Sequence, residues 1–158
     1  MTLPVVIIGA GQAGVRAAEA LRALGREEPI VMFGNEPCAP YQRPPLSKTF
    51  LAGEIAEERL YLQGEHFFER HGVELHTRRA VLAIEPAERR IIVQGSSAPV
   101  AYGKLLIATG CRPRPLPVPG ADDVELLTLR SIADVALLRE RLETAESPVI
   151  DRRRLYRA

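Results

Sequence analysis

The chain opens with short apolar runs separated by a stretch of helical spacing. Pro4 to Ile8 is β-branched and ends at Gly9, which predicts a buried strand. From Gln12 to Leu24 the spacing is helical, with Ala13, Ala17, Leu21 and Leu24 on one face and Gly25 as a stop. Ile30 to Phe33 is a second short apolar run. Strand, helix and strand within about 33 residues match the size of a βαβ unit. Such a unit implies a right-handed crossover and a parallel α/β layer.

Residues 34–46 hold Pro37, Pro40, Pro44 and Pro45 and read as a long, stiff loop of functional rather than spacer character. Further on, Glu65 to His71 reads as helix, and Gly72 ends it. Val73 to His76, Ala80 to Ile84 and Arg90 to Gln94 read as strands, with 80–94 forming a small antiparallel element. Leu105 to Thr109 is another buried strand, and Arg112 to Pro119 is an extended proline-rich connector rather than a strand. Ser131 is an N-cap with Asp134 at N3, opening a helix to about Thr144 whose apolar stripe is Val135, Leu138 and Leu142. The fold class is α/β.

A length of 158 residues allows about one domain on a prior of roughly 150 residues each. Lys and Arg number 21 against 20 Asp and Glu, so charge gives no reason to expect nucleic acid or an anionic membrane as partner. No apolar run approaches the ~18 residues of a membrane span, and none resembles a signal-peptide core, so the expected location is cytoplasmic. Cys38 and Cys111 form no C-x-x-C or C-x-x-x-x-C, so neither a redox dithiol nor a zinc site is written here, and no metal is expected.

Gly9-Ala-Gly11-Gln-Ala-Gly14 is G-x-G-x-x-G, set directly after a strand and opening a helix. Gly9 permits the tight turn, Gly11 leaves room for a pyrophosphate against the backbone, and Gly14 lets the helix close on the strand. The helix start then offers amide N–H groups and the positive dipole end. An acid is required about 20 residues on. Glu36, 22 residues after Gly14, meets that need for a ribose diol, and Asn35 is the alternative. The turn alone does not separate FAD from NAD(P). In Pro40-Tyr-Gln-Arg-Pro-Pro-Leu-Ser-Lys48, Pro44 and Pro45 direct Arg43 and Lys48, two cations suited to phosphate or to a negatively charged reduced ring.

At these residues the chain resembles the FAD-dependent, NAD(P)H-linked ferredoxin reductases of bacterial oxygenase systems, within the pyridine nucleotide-disulphide oxidoreductases. Three segments carry the resemblance, Val5-Val-Ile-Ile-Gly-Ala-Gly-Gln-Ala-Gly14, the Pro40 to Lys48 loop, and Leu105-Leu-Ile-Ala-Thr-Gly-Cys-Arg-Pro-Arg-Pro115, and the linker Leu127-Thr-Leu-Arg-Ser131 also fits. It implies a Rossmann-like parallel sheet with flanking helices and a small antiparallel element, incomplete beside the family. FAD would be the dinucleotide and NAD(P)H the co-substrate. Gly9, Gly11, Ala13 and Gly14 would hold the pyrophosphate, and Asn35 or Glu36 the adenosine ribose. Arg43 and Lys48 would lie over the pyrophosphate and flavin ring, Lys48 tuning the flavin as the one catalytic candidate. Val81 would touch the adenine side, Ala108, Thr109 and Gly110 would line the FAD, and Arg130 would reach it from the linker. The resemblance implies electron transfer to a one-electron protein acceptor, ferredoxin or rubredoxin, and the missing C-x-x-x-x-C pair of the related disulfide reductases favours this over dithiol chemistry; the alternatives are a non-catalytic dinucleotide-binding fragment and a related flavoprotein reductase with a different acceptor.

The implied organisation is a first FAD segment at 1–115, a linker strand and helix at 116–150 leading toward an NAD(P)-binding domain, and an atypical tail at 151–158. The 158 residues alone are expected to be inactive. The tail Asp151-Arg-Arg-Arg-Leu-Tyr-Arg-Ala158 carries a charge of +3. It can be written in codons that, read one nucleotide later, give Ile-Gly-Gly-Gly-Phe-Ile-Gly, a second glycine turn. A chain with 19 Arg and 2 Lys fits a GC-rich gene in which such codons are common. A frameshifted tail is therefore expected.

Overall fold

The computed structural model describes residues 2–64, 66–144, 149 and 156–157. These divide into two units. The first comprises Met1–Tyr41 and Tyr61–Gly110, and the second Gln42–Leu60 and Cys111–Ala158.

The first unit is built on strand β1 (Val5–Ile8). Helix α1 (Gln12–Ala23) follows, then β2 (Ile30–Phe33), the short helix α2 (Phe67–Arg70) and β3 (Val73–His76). An antiparallel sheet comes next, formed by β4 (Val81–Glu85), β5 (Arg90–Val93) and β6 (Val100–Ala101), before β7 (Lys104–Ile107). The parallel sheet runs β3-β2-β1-β7, with Val5 opposite Ile30 on one side and Lys104 on the other. β1 and β2 are buried along their whole length, as strands covered on both faces must be.

Alternation along the strands splits the core into two layers. Val5, Ile7, Ile30 and Met32 face Val15 and Ala18 of α1 and Phe67 of α2. Val6, Ile8, Val31 and Phe33 face Ile91 and Val93 of β5 and Tyr102. The three layers are thus helices, parallel sheet and antiparallel sheet. Val6, Ile7 and Met32 are completely excluded from solvent, each burial contributing about 1.5–3 kcal/mol. Arg22, in the last turn of α1, fastens this layer. Its guanidinium donates to the carbonyl oxygens of His71 (2.6 Å), Arg26 (2.7 Å), Glu28 and Gly72 (both 3.0 Å).

The second unit contains a 3-10 turn at Pro44–Ser47 and another at Glu57–Leu60. It also holds a two-residue strand β8 (Arg112–Pro113), helix α3 (Ile132–Thr144) and β9 (Tyr156–Arg157), which pairs antiparallel with β8. Asp134 closes a reciprocal cap on α3. Its Oδ2 accepts from the backbone N–H groups of Arg130 and Ser131, both at 2.8 Å, while its own N–H donates to Ser131 Oγ.

Several expectations are corrected. The α1 face that is fully buried is Gly14, Val15 and Ala18, with Ala17 and Leu21 partly buried, whereas Ala13 and Leu24 are exposed. Glycine does not register in an apolar pattern, and the close approach at Gly14 rotates the contact line toward it. The proline loop contains a 3-10 turn, because Pro44 and Pro45 occupy its first positions, where no N–H is needed. The antiparallel element extends to Ala101. β7 stops at Ile107, so Ala108 to Gly110 follow the strand. Arg112–Pro113 is paired, not merely extended. Leu142 is exposed, and Val135 alone of the α3 stripe is fully buried. The shifted-frame expectation for 151–158 falls, except for Tyr156 and Arg157, outside the described residues, as does Glu65 of the expected helix.

Candidate functional site

The glycine turn is fixed by the two strands beside it. The Gly9 N–H donates to Phe33 O (2.8 Å) and the Ala108 N–H to Ile8 O (2.7 Å). Gly9 has φ +114°, and a Cβ there would lie 2.1 Å from Ala108 O, so no other residue fits without moving the backbone. At Gly14 a Cβ would lie 2.3 Å from Gly9 O, which is the close helix–strand packing the motif requires.

Gly11 is different. Its backbone is extended, and a Cβ there would meet nothing within 4 Å. It is the N-cap of α1, and neither a side-chain cap nor an acidic residue occupies that first turn. Amide donors at the positive end of a twelve-residue helix are therefore left without a side-chain cap, beside a Gly11 that carries no Cβ to crowd them, an arrangement suited to anions.

Six of the expected residues lie around this turn: Gly9, Gly11, Ala13 and Gly14 within it, and Ala108 and Thr109 where β7 ends against it. Gly110 follows with φ +72°. Val81, the first residue of β4, shares an open apolar groove of about 300 Å³ with Ile8, Ile107 and Thr109. The two ribose candidates at the end of β2 differ. Asn35 is exposed, while Glu36 is half-buried and accepts a hydrogen bond from the Tyr41 hydroxyl at 2.5 Å. The peptide of Glu36 is itself anchored, its carbonyl accepting from the Arg78 N–H.

Sequence reasoning missed Gly34 and Tyr41. A Cβ on Gly34 would stand 2.6 Å from Ala10 Cβ, so a small residue after β2 is part of the turn's construction. The signal was a glycine ending the second strand. Tyr41 is buried and holds Glu36, but its hydroxyl gave no sign of that partner in the sequence.

Arg43, Lys48 and Arg130 belong to the second unit. Arg43 Nη1 donates to Arg130 O at 2.6 Å, so the structure brings these two together. Arg130 Nη1 also points at Cys111 Sγ, 3.5 Å away. Lys48 is exposed at the end of the 3-10 turn, and its ammonium has no polar partner among the described residues. No group of three or more metal-binding side chains exists among the described residues, and no helix there is long and apolar enough to cross a membrane.

The comparisons agree with this geometry. The family model for the pyridine nucleotide-disulphide oxidoreductases matches residues 3–150. The chain is 42% identical over 146 residues to the ferredoxin–NAD(+) reductase component of the biphenyl dioxygenase system of Paraburkholderia xenovorans, covering 92% of this chain and 35% of that protein. Identity to the rhodocoxin reductase of Rhodococcus erythropolis is 37% over 148 residues, covering 94% and 34%. A chain of the covalent putidaredoxin reductase–putidaredoxin complex superposes with a TM-score of 0.79 at 36% identity, covering 89% of this chain and 34% of that one. The chain spans about a third of the length of the curated relatives it matches. With the glycine turn, the layers behind it and the match from residue 3 to residue 150 in agreement, the chain belongs to the pyridine nucleotide-disulphide oxidoreductase family.

Proposed function

We propose that these residues are the first FAD-binding segment of an oxidoreductase that passes electrons from NAD(P)H through FAD to a small iron–sulfur protein, a ferredoxin or rubredoxin. The observation that carries the reading is the uncapped first turn of α1, open at Gly11. The names of the relatives, ferredoxin and rubredoxin reductases, supply the acceptor class. Bound FAD would take a hydride from NAD(P)H and give up electrons singly.

Each residue has a defined task. The amides of the Gly9 to Gly14 turn bind the pyrophosphate, aided by the dipole of α1. Glu36, braced by Tyr41, accepts from the adenosine ribose, and Asn35 is placed beside it for the same purpose. Val81 offers an apolar surface to the adenine, and Ala108, Thr109 and Gly110 line the ligand from the end of β7. Arg43 and Arg130 hold phosphate charge. Lys48, with its ammonium unspent, favours the electron-rich ring by Coulomb attraction. On this reading 1–115 is the first FAD segment, 116–150 the linker toward the nicotinamide domain, and the protein cytoplasmic. The tail 151–158 is read as out of frame. A DNA read across codons 140–170 tests that point, and a clean stop after Ala158 without a downstream glycine motif overturns it.

Gly11→Val tests the site. The added Cβ meets no protein atom within 4 Å, so the unfolding free energy stays within about 1 kcal/mol of wild type. It fills the space a pyrophosphate needs, so ADP and FAD binding by calorimetry fall more than about tenfold. Unaltered binding in the variant, or no saturable binding by wild type, overturns the reading. Residues 1–158 by themselves are expected to hold FAD weakly and show no bleaching with NADH. Robust reduction would show that they suffice for catalysis.

A further inference from the structure

Lys48 is an exposed cation on a loop with little secondary structure, yet its backbone is held from both sides. Before it, the Lys48 N–H donates to Pro45 O at 3.0 Å. After it, the Ala52 N–H donates to Lys48 O at 2.9 Å, and the Glu54 N–H donates to Thr49 O at 2.9 Å. Helix α3 takes hold of the same stretch. Arg139 donates through Nε to Leu51 O at 3.3 Å and through Nη2 to Phe50 O. Its guanidinium carbon also stands 4.9 Å from the centre of the Phe50 ring. Phe50 is buried, as is Leu46 on the other side of Lys48.

A cation bonded to two successive carbonyl oxygens fixes the plane of the peptide between them. The same cation resting on the intervening aromatic face fixes the side chain as well. Resting on the reading of Lys48 given above, we propose that Arg139 is a positioning residue for Lys48. It locks residues 50 and 51 so that the turn ending at Lys48 presents its ammonium in one direction. Arg43, bonded to Arg130 O two residues ahead of α3, holds the near end of the loop, so the stretch from Arg130 to Arg139 ties down both ends. The placement explains why a polar helix residue spends its donors on main-chain oxygens of a loop rather than on an acid of its own helix.

The test uses Arg139→Gln and Arg139→Lys in the full chain, with hydrogen exchange and two ligands. In Arg139→Gln the amides of Ala52, Gly53 and Glu54 exchange at least about tenfold faster, while those of β1 and β2 keep their protection. FAD affinity falls about tenfold and ADP affinity stays within twofold, because ADP lacks the part of the ligand that Lys48 addresses. Arg139→Lys retains the cation on the ring and recovers part of both effects. Unchanged exchange at 52–54, or equal losses for FAD and ADP, overturns the positioning role. FAD binding no tighter than ADP in wild type overturns the flavin reading instead, and the exchange data then still decide whether Arg139 holds the loop.

Discussion

The glycine turn and the Lys48 loop, the two binding elements of the proposed function, are held in place by opposite means. The turn presents backbone amides and is fixed by contact: Gly9 against Ala108, Gly14 against Gly9 and Gly34 against Ala10, all with the fully buried β1 behind them. The loop presents a side chain and is tied down by a few side-chain hydrogen bonds, Arg43 to Arg130 O and Arg139 to Phe50 O and Leu51 O. Steric fixing leaves no intermediate condition, because a close-packed interior yields only by moving backbone. Hydrogen-bond fixing is graded, since each bond contributes separately.

The largest expected effect breaks the first kind. Gly9→Ala sets a methyl group 2.1 Å from Ala108 O at a left-handed φ. It should cost about 4 kcal/mol in urea unfolding and abolish ADP binding, with no partial state. A loss below 1 kcal/mol would show that the turn relaxes more than its packing implies. Asp134→Ala breaks the second kind. The two amides it caps are freed, and about 1 kcal/mol is lost, lowering the melting temperature by about 3 °C. ADP affinity should not change, whereas FAD affinity should weaken as the Arg130 carbonyl that receives Arg43 loosens. Equal weakening of both ligands would erase the distinction between the two regions.

The smallest effect concerns pH and lies in the first unit. The carboxyl of Glu28 is lowered from 4.5 to about 2, chiefly by its own backbone N–H, then by Arg26, with Lys104 also donating to it. A lowered acid stabilises the fold fully above its unfolded value of 4.5, and that stabilisation drains away as pH falls toward 2. Urea midpoints measured from pH 5 down to 2.5 should therefore fall more steeply for wild type than for Glu28→Gln. Parallel curves would exclude Glu28 as a contributor to acid sensitivity.

Where burial and a strong local signal coincided, the sequence was readable. β1, β2 and β3 lie where their apolar runs place them, and the Ser131–Asp134 cap opens α3 as its spacing foretold. β6 escaped because two residues carry no period, and β8 because a proline stretch shows no sign of a distant partner. At the site, residues whose role is backbone shape were visible as glycines in a motif. Gly34 stood outside any motif. Tyr41 and Arg139 were hidden for another reason: what they hold is a single carboxylate or main-chain oxygens, and a sequence does not mark which oxygens a folded chain will bring within reach.

The pairing of Val5 with Lys104 has a consequence for the order of events during synthesis. α1 and the β1–β2 pair are local and can form early, but the ceiling over Gly9 is Ala108, supplied from far along the chain. Closing so long a loop is entropically costly and slow compared with forming a helix. A ribosome that has not yet released residue 108 therefore carries the glycine motif without its finished shape. On the function proposed above, ligand capture begins only after the fourth parallel strand has docked, so nucleotide would stabilise the nascent chain at the end of this segment's folding and not at its start.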